Sequence, residues 1–364
     1  MLVGRGALTR LSLFSLQASE NVSRLAFPPL GFYWVLLGPV GPVTLTRYFS
    51  YRSQPIPKSG FEAHFRKQQA NTNLGFSEEY EKFSSVGISQ PKEASELPEN
   101  KAKNRYNNVL PYDHSRVKLS APNHQTEDYI NANYMPGYMT SREFIAAQGP
   151  LPNTVTDFWR MIWEKNISAA VMLTRCVELG KVKCEQYWPS SGQKEFGDIS
   201  VSLIEESVQP EWVIRDFTVT HKRENRSKHV RHFHFTAWPD HGVPKTTDVL
   251  IGFRNLLWDY VKLSPPNSPV LVHCSAGVGR TGTLIALDRI MKQIDKEDAV
   301  DVFGTVHSLR VHRVLMVQTE NQYIFLNQCA LDAIRAQRAN QPDLIYQNSS
   351  AIYENVSRLG NSRV

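Results

Sequence analysis

Hydrophobic and polar positions alternate in two runs, WVIRDFTVT (212–220) and VRHFHFTAW (230–238). A period of two predicts strands of a sheet with unlike faces. A shorter apolar run, AAVMLT (169–174), reads as β-rich in the same way. Val270, Leu271 and Val272 form a continuous apolar run that predicts a buried strand, and a glycine-rich loop follows at once. Beyond it, Leu284, Leu287, Ile290, Met291 and Ile294 recur at helical spacing, so the loop opens a buried helix. Near the N-terminus the pattern is helical and polar over 61–97. Phe61 and Phe65 share a face there, Tyr80 and Phe83 follow, and Gly87 reads as a stop.

This patterning divides the chain into three stretches. Residues 61–335 read as one globular unit, dense from Lys101 onward. Residues 1–60 are atypical, with a mostly apolar run from Leu25 to Val43 followed by Arg47 and Arg52. The run approaches the length of a membrane span, yet it holds Pro28, Pro29, Pro39 and Pro42. An irregular segment, a membrane or juxtamembrane region and a targeting segment all remain open for it. Residues 336–364 are polar and read as a flexible tail.

Composition changes this picture little. The 364 residues are 41% hydrophobic, enough for a large core. The net charge of +6 suits an anionic ligand. It is not gathered into a basic arm or stripe, so no nucleic-acid partner is expected. Cys176, Cys184, Cys274 and Cys329 lie far apart without CxxC or zinc spacing, and read as free thiols of a reducing compartment. On that reading the sequons at Asn166, Asn225 and Asn348 are chance matches. No clustered ligand pattern implies a metal, and no cofactor is expected.

The chemistry concentrates in PVLVHCSAGVGRTGTLIALDRI (269–290). Strand, tight loop and helix converge backbone N–H groups at a helix N-terminus, which makes an anion nest. Cys274 opens the loop and Arg280 closes it. Loop amides and a guanidinium together favour a thiolate, and the guanidinium fork suits two phosphoryl oxygens. Gly277 and Gly279 let backbone wrap a tetrahedral ion. The Walker lysine pattern and the dinucleotide fingerprint are both absent, which argues against a nucleotide loop.

HCSAGVGRTG, with Cys and Arg separated by five residues, resembles the signature of the protein tyrosine phosphatases. KNRYNNVLPYD, DYINANYMPGY, QGPLPNT, FTAWPDHGVP and QTENQY follow in that family's order over about 61–335. The chain most resembles receptor-type members with a single cytoplasmic catalytic domain. The resemblance implies one α/β domain with a central, highly twisted mixed sheet flanked by helices. It makes Cys274 the nucleophile, Arg280 the phosphoryl clamp, and Asp240 of the WPD loop first acid, then base. Ser275, Ala276, Gly277, Val278 and Gly279 would bind phosphoryl oxygens through their amides, and the Thr281 hydroxyl would donate to the thiolate or help its later departure. Tyr106 would stack on the substrate ring, and Gln318 would place the hydrolytic water. Asn108 departs from members that carry Asp there, so weaker peptide orientation is expected. Glu178 and Lys183 resemble a loop whose glutamate braces the arginine, and His273 would order the nucleophile loop. Asp288 and Arg289 read as helix-surface or bracing residues.

The resemblance implies phosphotyrosine-containing proteins as substrates, acting in signal transduction at the cytoplasmic face of the plasma membrane. If residues 1–60 do not span, the protein would be cytoplasmic and soluble. A degenerate, inactive copy is the alternative reading, but Tyr106, Asp240, Cys274, Arg280 and Gln318 are all present. Tyr346 and Tyr353 are each followed two positions later by Asn, a spacing that resembles ligands of SH2-domain adaptors.

Overall fold

The structure, a computed structural model, describes residues 53–120 and 128–339. The apolar run Leu25–Val43 and the tail with Tyr346 and Tyr353 lie outside the described residues. The chain opens with β1 (Ile56–Pro57), α1 (Lys58–Glu81), α2 (Glu93–Glu96) and α3 (Pro98–Lys101), then β2 (Arg116–Lys118), β3 (Tyr129–Met135), β4 (Phe144–Ala147) and α4 (Val155–Glu164). Next come β5 (Ala169–Met172), β6 (Val177–Glu178), β7 (Lys181–Val182), β8 (Gln193–Phe196), β9 (Ile199–Val208), β10 (Trp212–His221) and β11 (Arg226–Phe235). The second half holds α5 (Thr247–Val261), β12 (Val270–His273), α6 (Gly279–Lys296), β13 (Ala299–Val300), α7 (Val302–His312) and α8 (Glu320–Ala339).

Among the described residues nine strands form one mixed sheet in the order β2-β3-β4-β12-β5-β11-β10-β9-β8. The strands β4, β12, β5 and β11 run parallel, and the remaining pairs are antiparallel. Parallel strands are buried on both faces, and every residue of β4, β5 and β12 is buried accordingly. Their side chains alternate between two cores. Val270, Val272, Ala169 and Val171 pack with the helices α5, α6 and α8, whereas Leu271, Ala170 and Met172 pack with Phe158, Trp159 and Ile162 of α4. The sheet flanked by helices is the architecture expected from the sequence. The layering puts the C-terminal end of β12 between two parallel neighbours, where open α/β sheets place anion sites.

Some local expectations are corrected. The helix expected through 61–97 breaks at Ala70–Asn73, where Asn71, Thr72 and Asn73 adopt positive φ, and ends at Glu81. Asn tolerates that conformation, and the break lets Phe65 and Phe76 meet with ring centroids 5.3 Å apart. The fold also reaches past both expected boundaries, since β1 pairs with β13 ahead of Phe61, and α8 continues to Ala339. Of the two readings left open for Asp288, bracing is the one that fits: it is 1% exposed and is held by Arg254 at 2.7 Å and Lys292 at 3.0 Å. Asn166 and Asn225, sequon positions, each take a positive φ after α4 and between β10 and β11, which gives asparagine a conformational reason there. All four cysteines are free.

Candidate active site

The loop from Cys274 to Val278 joins β12 to α6. Gly277 has φ +73, and a Cβ on it would stand 2.1 Å from the Ala147 carbonyl oxygen, so only glycine fits this turn. The Gly277 amide donates to Cys274 Sγ at 3.3 Å. Outside the loop, the fully buried Arg313 donates from Nε to the Gly277 carbonyl at 2.9 Å and from Nη2 to the Ala276 carbonyl at 3.0 Å. Asn133 and Asn131 accept its remaining hydrogen bonds at 2.6 and 2.8 Å. Two carbonyls of the loop are thus occupied by one guanidinium. Burial pushes the Arg313 guanidinium down to about 10, so it stays charged at neutral pH. The Gly149 amide donates to the Ser275 carbonyl at 2.9 Å and ties the loop to the QGP segment.

Arg280, in the first turn of α6, is clamped from two sides. Nη1 donates to Glu178 Oε1 at 2.6 Å and to the Leu173 carbonyl at 3.0 Å; Nη2 donates to Glu178 Oε2 at 3.0 Å and to the Pro239 carbonyl at 3.2 Å. Glu178 also accepts from the Thr174 hydroxyl and the Arg175 amide. Burial opposes its charge, but Arg280, the Arg175 amide and Thr174 outweigh burial and hold its carboxyl below the usual range. The Pro239 bond docks the WPD loop onto Arg280, whose guanidinium lies 5.8 Å from the Trp238 ring centroid. The Trp238 indole closes the turn by donating to the Gly242 carbonyl at 3.2 Å.

These arms enclose a cleft of about 340 Å³. Tyr106, Asn108, Glu178, Lys183, Asp240, Cys274, Ser275, Ala276, Gly279, Arg280 and Gln318 all border it. The Tyr106 hydroxyl lies 2.9 Å from Ser275 Oγ, so the KNRY loop is fastened to the Cys274–Val278 loop. Gly277 and Val278 are buried and do not border the cleft. His273 is fully buried under the loop, with Nε2 2.8 Å from the Tyr187 hydroxyl. Burial drives its imidazole down to about 3, so it is neutral, and its Nδ1 lies 3.3 Å from the Cys274 carbonyl oxygen. Thr281 departs from expectation: its hydroxyl is buried with no hydrogen-bond partner among the described residues, and the contact to the sulfur is not made.

Comparison with known proteins bears on this geometry. The family profile described as protein-tyrosine phosphatase matches residues 100–332. The chain belongs to the protein-tyrosine phosphatase family. Human receptor-type tyrosine-protein phosphatase eta is 63% identical over 308 residues, covering 84% of this chain and 23% of its own length. The chicken protein of that name is 62% identical over 306 residues, covering 84% and 22%. Human receptor-type tyrosine-protein phosphatase H is 46% identical over 310 residues, covering 84% and 28%. The chain thus spans about a quarter of the length of these curated relatives. Among the described residues no helix is long and apolar enough to cross a membrane.

Three parts of the phosphatase site escape a reading of sequence. Arg313 is separated from the loop by the helices α6 and α7 and gives no local signal. Gln322 borders the cleft and accepts from the Gln318 amide at 2.9 Å through Oε1, thereby shaping the loop of the expected water-placing residue. Its position in QTENQY was the available clue. Arg105 donates from its side chain to the Gly149 and Pro150 carbonyls, which makes the residue before Tyr106 a strut of the KNRY loop.

Proposed function

We propose that this chain hydrolyses phosphotyrosine on proteins through a phosphocysteine intermediate, acting in signal transduction. The observation that carries the reading is the convergence of Cys274, Arg280 and Asp240 on one cleft. In the first step the Cys274 thiolate forms an S–P bond in line, the P–O bond to the tyrosyl oxygen breaks, and the Asp240 carboxyl gives that oxygen its proton. Loop amides and the Arg280 fork stabilise the equatorial oxygens, with Glu178 holding the fork in place. In the second step a water placed by Gln318 forms the new P–O bond, the S–P bond breaks, and Asp240 takes the water's proton. Tyr106 forms one wall of the cleft beside the ring. Asn108 at the rim contributes an amide where a carboxylate would bind peptide N–H groups more strongly. Lys183 adds positive charge beside the phosphoryl site.

The setting that fits is the cytoplasmic face of a membrane, with attachment outside the catalytic domain. After phosphorylation, Tyr346 and Tyr353 serve as ligands for SH2-domain adaptors and as substrates of the same domain.

The test is leaving-group dependence. Asp240→Ala should slow turnover of phosphotyrosyl peptide by roughly 10²–10⁴ and slow an activated aryl phosphate far less, because only the poor leaving group needs the proton. Equal losses on both substrates in single-turnover assays would remove Asp240 from this role. Appreciable turnover by Cys274→Ser would remove the phosphocysteine.

A further inference from the structure

The turn joining β6 to β7 breaks a local rule. Val177 pairs with Val182 and Glu178 with Lys181, which leaves Leu179 and Gly180 as a two-residue turn. Their φ values are +48 and +73, the signature of a type I′ turn. Glycine suits its place. Leucine does not, because such positions favour Asn, Asp or Gly, and a Cβ crowds the backbone there. Leu179 is also 66% exposed, between Val177 at 53% and Val182 at 60%. None of the three joins either core formed by the described residues. Leu179 is therefore disfavoured in backbone and in solvation, and no core contact compensates. Conflicts of this kind gather at functional sites.

Its location says what compensates. The alternation that turns Val177 outward turns Glu178 inward, where it is 6% exposed and grips Arg280. Glu178 and Lys183, on either side of the turn, border the cleft that holds Cys274. A polypeptide with one side chain in that cleft continues across the rim, and this hairpin is one wall of it. Lys181 and Lys183 add positive charge beside the apolar tip, which suits an apolar residue among acidic neighbours.

We propose that Val177, Leu179 and Val182 form a docking surface for an apolar side chain of the substrate polypeptide close to its phosphotyrosine. The proposal rests on the phosphotyrosine reading above. It makes the hairpin a specificity element on its outer face and a brace for Arg280 on its inner face.

The experiment uses the full chain and phosphotyrosyl peptides with a single leucine stepped through the flanking positions, beside an all-polar peptide and a small aryl phosphate. Leu179→Asn removes the apolar tip while suiting the turn, so it keeps the fold. The wild type should prefer one leucine register over the polar peptide, and Leu179→Asn should lower the peptide-to-aryl-phosphate ratio of kcat/KM for that register about tenfold, the low end of an apolar discrimination. Val177→Thr with Val182→Thr, which keeps β-branching, should lower the same ratio. A ratio unchanged in both variants overturns the proposal. So does a ratio unchanged while Leu179→Asn loses self-association in sedimentation or binding to anionic vesicles, outcomes that assign the face to a second copy or to a lipid surface. Failure of the wild type on every phosphotyrosyl peptide would overturn the phosphotyrosine reading itself, which a flat ratio with active wild type would not.

Discussion

Replacing Glu178 by glutamine tests whether the hairpin carboxylate orients Arg280. The side chain is 4% exposed and that of Arg280 13%, so solvent screens the pair little. Oε1 accepts from the Thr174 hydroxyl, the Arg175 amide and Arg280 Nη1, so the glutamine carbonyl is drawn to that corner. Its amide then meets Arg280 Nη2, a donor facing a donor where the carboxylate accepted at 3.0 Å. One charge-assisted hydrogen bond is lost, a contribution of about 2 kcal/mol. Arg280 keeps the Leu173 and Pro239 carbonyls, which moderates the loss of stability. The guanidinium fork, however, loses its planar partner. A transition state that needs the fork in register should lose about 2 kcal/mol, or about 30-fold in kcat, with a smaller change in KM. Steady-state kinetics on a phosphotyrosyl peptide measures this, and inhibition by vanadate, which occupies the same oxygen positions, should weaken in parallel. Unchanged kcat with a lowered melting temperature would refute the reasoning, because it would make Glu178 a prop of the hairpin only.

Acid should unfold the protein through its buried histidines. Burial holds His273 at about 3 and His234 at about 4, and His232 well below its ordinary 6.5. Between pH 6.5 and about 4 the unfolded chain binds protons that the native state refuses, so stability is full above 6.5 and falls as pH drops, by up to about 4 kcal/mol per pH unit for the three together. Denaturant titrations across this range should show the slope, and His234→Gln should reduce it by about 1.4 kcal/mol per unit; an unreduced slope would count against the assignment. In the tail, Cys274→Ser co-expressed with a tyrosine kinase should accumulate more phosphate on Tyr346 and Tyr353 than the wild type, and the phosphorylated 340–364 peptide should bind an adaptor SH2 domain. Mass spectrometry and calorimetry read both, and phosphopeptides no tighter than unmodified ones would leave the tail without this role.

Much of the site is legible without coordinates because its centre is local. Cys274, the glycines and Arg280 lie on one continuous strand, loop and helix, and hydrophobic periodicity marks each part. The parallel sheet also announces itself, since strands buried on both faces read as unbroken apolar runs such as Val270–Val272. What surrounds that centre comes from distant segments, and there periodicity is silent. The Glu178–Arg280 pair spans 102 positions and the Arg313 bonds to the loop about 36, distances over which only strand order brings side chains together. Asp288 shows the same division: a carboxylate on a helix reads as surface or bracing, and only its contacts with Arg254 and Lys292 choose between the two. The break in α1 was written in Asn71 and Asn73, but Phe76 packing on Tyr323 needed α8 in place. Sequence by itself determined the α/β class and the strand–loop–helix that carries Cys274 and Arg280, because covalent neighbours and their spacing suffice for these. Tertiary structure alone decided which charges are buried, which carbonyls are occupied and which apolar tip stays in water, because burial depends on what the rest of the chain leaves uncovered.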